Sequence, residues 1–230
     1  MPGIYVIAGI MILPLIVWGL AAQSRVRALF ERYSKIQVKK GITGNRLART
    51  MLNSAGLDDV VIEEAGSILE DHYDPRQKVI RLSRSVSRSS SVAAIGIAAH
   101  EAAHAIQDGT GFMPVKLRNS IAPIIENAGF FIFPLLIFGI LVSGIIASAF
   151  FINLAIFIFF GIVIFYLITL PVELEASSRA VGYIRNNKIA DEEELTGIRE
   201  VLRAAALTYI IAAALAIMQF LRFFGIYRRR

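Results

Sequence analysis

His100-Glu101-Ala102-Ala103-His104, set within the apolar run of residues 91–108, decides how this chain is read. A helix turns 100° per residue, so histidines four apart stand on one face, about 6 Å apart along it, and can grip a single ion. This is the H-E-x-x-H spacing, in which two neutral imidazoles hold Zn²⁺ and the carboxylate between them takes a proton from water that the ion has acidified. The surroundings favour a helix. Val92 to Ala99 lead in, Ala105-Ile106-Gln107 follow, Ser91 is placed to cap the start and Gly109 to end it.

The 230 residues are 56% hydrophobic with a mean hydropathy of +0.61, more apolar than a soluble domain normally is. The excess is gathered into runs of membrane-spanning length, since a spanning helix takes about 20 apolar residues. The net charge is +6, but the basic residues lie next to those runs and no nucleic-acid motif is present, so they are read as topology determinants facing a lipid bilayer. With no cysteine, disulfides are excluded and a zinc site must draw on His, Glu or Asp.

The first apolar run, residues 3–22, contains Pro14 and Trp18 and is followed by Arg25, Arg27, Arg32, Lys35, Lys39 and Lys40. Positive charge after the run predicts an uncleaved anchor with its N-terminus outside, although Gly19-Leu20-Ala21 resembles a cleavage site. Thr43 is a candidate cap for a helix carrying Leu47, Met51 and Leu52 on one face. Val60-Val61-Ile62 and the alternating Lys78 to Leu82, separated by the turn chemistry of Asp71 to Gln77, predict a small sheet over residues 60–82 ending in a hairpin. Residues 83–91, rich in serine and arginine, read as an exposed loop.

Two further runs, 128–147 and 149–170, are each long enough to span, and with no charge between Glu126 and Glu173 their connector, around Ser148 and Asn153, is expected to be a tight turn. A polar helical segment, 171–203, precedes a fourth run, 204–224. Residues 23–126 hold fifteen of the twenty-four Lys and Arg, residues 171–203 hold five and the connector none. The positive-inside rule therefore places both polar regions in the cytoplasm of a plasma-membrane protein. The terminal Arg228-Arg229-Arg230 disagrees, since four full spans leave it outside; four spans are the expectation nonetheless.

A hydrolytic zinc site takes three protein ligands. Glu173 directly follows a membrane helix on the same side as the two histidines, where a carboxylate is costly unless it finds a cation, and the small Ala176 and Ala180 share its face. Glu175, on nearly the opposite face, is the alternative; interfacial glutamates that bind no metal are a third reading.

Thr43-Gly44, Asp71-His72-Tyr73-Asp74-Pro75-Arg76, Lys78 to Ser83, Ala98 to Gln107, and Leu170-Pro171-Val172-Glu173 with Ala176-Ser177 together resemble the YugP-type family of membrane zinc metallopeptidases, itself similar to the HtpX-like membrane proteases. The likeness covers roughly residues 40–182 and implies Glu173 as the third ligand. Two departures stand out: Ala103 replaces the glycine of H-E-x-G-H, and Ser177 replaces an aspartate that HtpX-like proteases carry four residues after the ligand.

The resulting expectation is a mainly α membrane protein with about four transmembrane helices and a small α+β zincin-like catalytic domain. Its parts are an anchor (1–24), a metal-binding catalytic region (25–126), a transmembrane pair (127–170), a cytoplasmic segment with the third ligand (171–203), and a last helix with a basic tail (204–230). Zn²⁺ is held by His100, His104 and Glu173, Glu101 is the general base, and His72, Tyr73 and Arg179 are candidate oxyanion donors. The substrate is a polypeptide, drawn from unfolded or membrane protein segments, which residues 78–82 receive along an open strand edge. A non-hydrolytic metal-binding membrane protein is the alternative; a transporter is disfavoured because the apolar runs carry no charge to mark a pathway.

Overall fold

The computed structural model describes residues 3–65, 71–141 and 145–227; the basic tail at 228–230 lies outside the described residues. Its elements in chain order are α1 (Ile4–Tyr33), α2 (Gly44–Ser54), β1 (Val61–Ala65), β2 (His72–Asp74), β3 (Val79–Ser83), α3 (Arg84–Ser87), α4 (Val92–Gly109), α5 (Met113–Leu141), α6 (Ile145–Asn186) and α7 (Glu192–Tyr227). The chain is mainly helical with one small sheet, and it divides into two compact units.

One unit comprises Ala22–Lys116 and Pro171–Leu207. Its centre is α4, whose alanines let neighbours approach and whose residues Val92 to Ile95, Ala98, Ala99, Ala102, Ala103 and Ala105 are essentially without solvent contact. Around it pack Leu47, Met51 and Leu52 of α2, Ile80 and Leu82 of β3, Ile184 of α6, and Leu195, Ile198 and Leu202 of α7. Both caps read from the sequence are in place: Thr43 Oγ1 accepts from the Arg46 N–H and Ser91 Oγ from the Ala94 N–H. A third closes the start of α7, where Asp191 Oδ1 accepts from the N–H groups of Glu193 and Glu194 while Glu194 Oε2 accepts from the Asp191 N–H.

The sheet has the order β1-β3-β2, with β1 parallel and β2 antiparallel to β3. This corrects two expectations. Residues 72–74 are strand, because the hairpin turn is confined to Pro75 to Lys78, where Asp74 Oδ1 accepts from the Arg76 and Gln77 N–H groups and Lys78 takes a φ of 53°. Moreover, β3 is the central strand, with a partner on each side, so residues 78–82 present no open edge; β1 and β2 are the outer strands. Nor is 83–91 an exposed loop: Ser83, Val86, Ser87 and Ser91 are buried, the Ser83 N–H and hydroxyl both donating to Asp71. Serine survives such burial because the acidic partner satisfies it.

The other unit comprises Met1–Ala21, Leu117–Leu170 and Thr208–Arg230. Here the apolar side chains point outward, with Phe130 79%, Phe157 72% and Ile10 67% exposed, an arrangement that costs little only against hydrocarbon. Inside it, Phe159 meets Phe223 and Phe160 meets Phe220, beside the buried Ala155 and Ile211. Among the described residues, three helical stretches are long and apolar enough to cross a membrane: Tyr5–Tyr33, Ala149–Asn186 and Glu192–Gly225. A bent pair, Met113–Ile125 with Asn127–Gly139, meets the same criterion only when its two halves are taken together; its bend is 43°, and Pro123 lies just before it. The expected turn around Ser148 and Asn153 is absent, because both residues lie inside α6; a lone Ser or Asn in so apolar a run does not break a helix, and the connector at 142–144 lies outside the described residues.

Candidate metal centre

His100 and His104 stand one turn apart on α4, their rings edge to face with centroids 4.6 Å apart. Glu173, seventy residues later on α6, turns its carboxylate toward both. The His104 Nε2 lies 3.2 Å from His100 Nε2, and Glu173 Oε2 lies 3.3 Å from the first histidine's Nε2 and 3.5 Å from the second's. Zinc held tetrahedrally at about 2.0–2.1 Å sets its ligand atoms about 3.3 Å apart, and this triangle has the dimensions of one face of such a tetrahedron.

His104 Nδ1 is 2.9 Å from Gln107 Oε1 and His100 Nδ1 is 3.3 Å from Ser177 Oγ, so each imidazole has a partner on the nitrogen that faces away from the triangle. With Nδ1 protonated, both Nε2 atoms and the carboxylate oxygen present lone pairs to one point. Three converging lone pairs repel unless a cation lies among them. His104 and Glu173 are buried and His100 half-buried, which excludes bulk water from the ligands. The residues present therefore fit a zinc ion, and the described residues contain this one group of three His, Asp or Glu side chains able to hold a metal.

Glu101 is buried beside the histidines. Burial pushes its carboxyl up to about 7; His100 draws it down, the charges of Glu173 and Asp71 push it up, and the backbone N–H of Tyr73 favours the ionised form. Strand β2 thus runs alongside this glutamate. Burial also raises Asp71, an effect partly offset by its two bonds from Ser83.

Of the remaining sequence candidates, His72 lies on the exposed side of β2 with its Nε2 3.4 Å from an Arg81 guanidinium nitrogen. Tyr73 donates its hydroxyl to Asp108 at 3.0 Å, and burial together with that carboxylate raises the phenol. Arg179 forms a two-pronged bond to Glu175 Oε1 at 3.0 and 2.5 Å. Glu175, the alternative ligand, is thereby engaged by Arg179 and by Gln107 Nε2 at 2.6 Å rather than joining the triangle. Gln107 is not among the site residues that the motif spacing picks out, although its place three residues after His104 puts it on the same helical face. Asp71 carries turn chemistry in the sequence, and nothing local marks it as a neighbour of Glu101.

Over residues 8–228 the sequence matches the family described as "Putative neutral zinc metallopeptidase". It is 42% identical over 212 residues, 90% of each chain, to the "Putative membrane protease YugP" of Bacillus subtilis (strain 168). No solved structure matches. A match of that extent, joined to a relative this similar along nearly its whole length, places the chain in the zinc metallopeptidase family so described.

Proposed function

We propose that this protein is an integral membrane endopeptidase of the zincin-like kind, with Zn²⁺ held by His100, His104 and Glu173 and its catalytic side facing the cytoplasm. The observation that carries the reading is the triangle of two Nε2 atoms and one carboxylate oxygen with edges of 3.2, 3.3 and 3.5 Å. Zinc bound there supplies a Lewis acid that lowers the pKa of water and polarises a peptide carbonyl. Glu101 receives the proton of the attacking water on its carboxylate and delivers it to the departing amine nitrogen. Its burial suits the role of base, since desolvation makes a carboxylate a stronger proton acceptor. The substrate is an unfolded or flexible polypeptide segment that passes by Glu101 and the outer strand β2. His72, Tyr73 and Arg179 are the side chains available to donate to the oxyanion.

The test uses the full chain in detergent micelles, purified without chelators. One equivalent of zinc, cleavage of casein or an unfolded membrane substrate by wild type, and a Glu101→Gln variant that keeps the zinc but loses cleavage are expected. Wild type and variant that bind zinc equally and are both inactive across a wide pH range would give the ground to a non-hydrolytic metal-binding protein.

A further inference from the structure

Gln107 is without solvent contact, yet it lies between α4 and α6 with every polar hydrogen spoken for. Its Nε2 donates to the Val172 carbonyl at 2.8 Å and to Glu175 Oε2 at 2.6 Å, and its Oε1 lies 2.9 Å from His104 Nδ1. A backbone carbonyl can only accept. The amide nitrogen must therefore face Val172, and the amide oxygen must face His104; the reversed orientation would set oxygen against oxygen at two contacts. An oxygen facing Nδ1 requires Nδ1 to carry the imidazole proton, which leaves the Nε2 lone pair directed into the triangle.

We propose that Gln107 is a positioning residue that locks His104 in its Nδ1-protonated tautomer, so that Nε2 is the atom offered to zinc. The chain of contacts extends outward. Glu175 accepts one amide hydrogen while Arg179 holds its other oxygen, so a surface ion pair secures the amide from behind. The second amide hydrogen ends on Val172, the residue before Glu173, so one side chain both orients a histidine and ties down the turn of α6 that bears the third ligand. Outer groups of this kind commonly change metal affinity by about 10–100-fold when removed. A merely structural clamp between two helices would instead alter the stability of the metal-free protein and leave zinc affinity and tautomer untouched.

The role rests on the zinc reading, and the experiment separates the two. In metal-free full-length protein in micelles, labelled with ¹⁵N-histidine and examined with the imidazole neutral, His104 is expected to carry its proton on Nδ1. Gln107→Met, of similar length but without the amide, is expected to mix the tautomers and weaken zinc binding about 10–100-fold in chelator competition. The exchange Gln107→Glu with Glu175→Gln restores an acceptor for Nδ1 but turns a second oxygen toward the Val172 carbonyl, and is expected to recover the Nδ1-protonated tautomer without the full zinc affinity. A wild-type His104 protonated on Nε2 overturns the proposal, as does Gln107→Met binding zinc as tightly as wild type. Should Gln107→Met fail to fold, the wild-type tautomer and the double exchange decide. A wild-type protein that takes up no zinc refutes the metal reading, and the tautomer measurement still judges Gln107.

Discussion

Each of the residues around the candidate metal site offers a chemistry suited to one task there. Histidine supplies a neutral lone pair on one nitrogen while donating from the other, which is why His100 and His104 each need a partner at Nδ1. The partners are unequal: an amide oxygen at 2.9 Å holds its histidine more firmly than a hydroxyl at 3.3 Å. Replacing Ser177 by Ala is therefore expected to weaken zinc binding less than replacing Gln107 by Met, as read by chelator competition. Among the oxyanion candidates, Tyr73→Phe, His72→Ala and Arg179→Lys are to be compared by kcat at constant zinc content. The true donor is expected to cost about 10²–10³-fold in kcat, and the other two much less. Asp71 yields a pH prediction. Burial raises its folded value above the ordinary one, so the protonated form is favoured by folding. The associated stability is present below the ordinary value of 3.8 and is lost as pH rises through the raised one. Asp71→Asn, which still accepts from the Ser83 N–H, is expected to flatten that fall in a series of thermal unfolding scans.

At the scale of elements, the site depends on how closely α4 is surrounded. Gly44 opens α2 where a side chain would collide with the Val86 carbonyl of α3, so the Thr43-Gly44 pair combines a cap with a close approach. Gly44→Ala is expected to destabilise the protein by about 1–3 kcal/mol, seen as a lower unfolding midpoint, with little change in the zinc affinity of the folded fraction. Helix α6 passes from an apolar stretch into the ligand-bearing stretch with Pro171 inside it. The proline lacks an N–H to give to the preceding turn, and the face that follows it, Val172, Glu173, Ala176 and Ala180, is buried. The small alanines leave room there for the imidazoles to meet the glutamate.

For the whole molecule, the exposed aromatic and aliphatic surface of the apolar unit makes detergent or lipid a requirement of folding. The absence of cysteine makes orientation easy to measure. Single cysteines introduced at the exposed positions Gln77 and Lys188 are both expected to react with an impermeant thiol reagent only when the cytoplasmic side is opened. Labelling of either from intact cells would contradict the proposed orientation. Zinc removal is expected to lower the unfolding temperature and its return to restore it, because an ion bound only by the folded chain adds its binding free energy to stability.

Local patterns made much of this visible in the amino-acid string. The 3.6-residue period puts His100 and His104 together, cap chemistry sets Thr43 and Ser91 at helix starts, and hydropathy marks the long apolar helices, because each of these effects acts within one or two turns of chain. Glu173 was legible as well, since a carboxylate at the end of an apolar run calls for a cation. What only the tertiary structure decided were relations between distant segments: that β3 is the central strand and β1 and β2 the outer ones, that Ser83 is buried against Asp71, and that Gln107 connects His104 to Val172 and Glu175. Strand order and buried polar partnerships depend on which surfaces meet after the chain has packed, and no periodicity within a single segment encodes them.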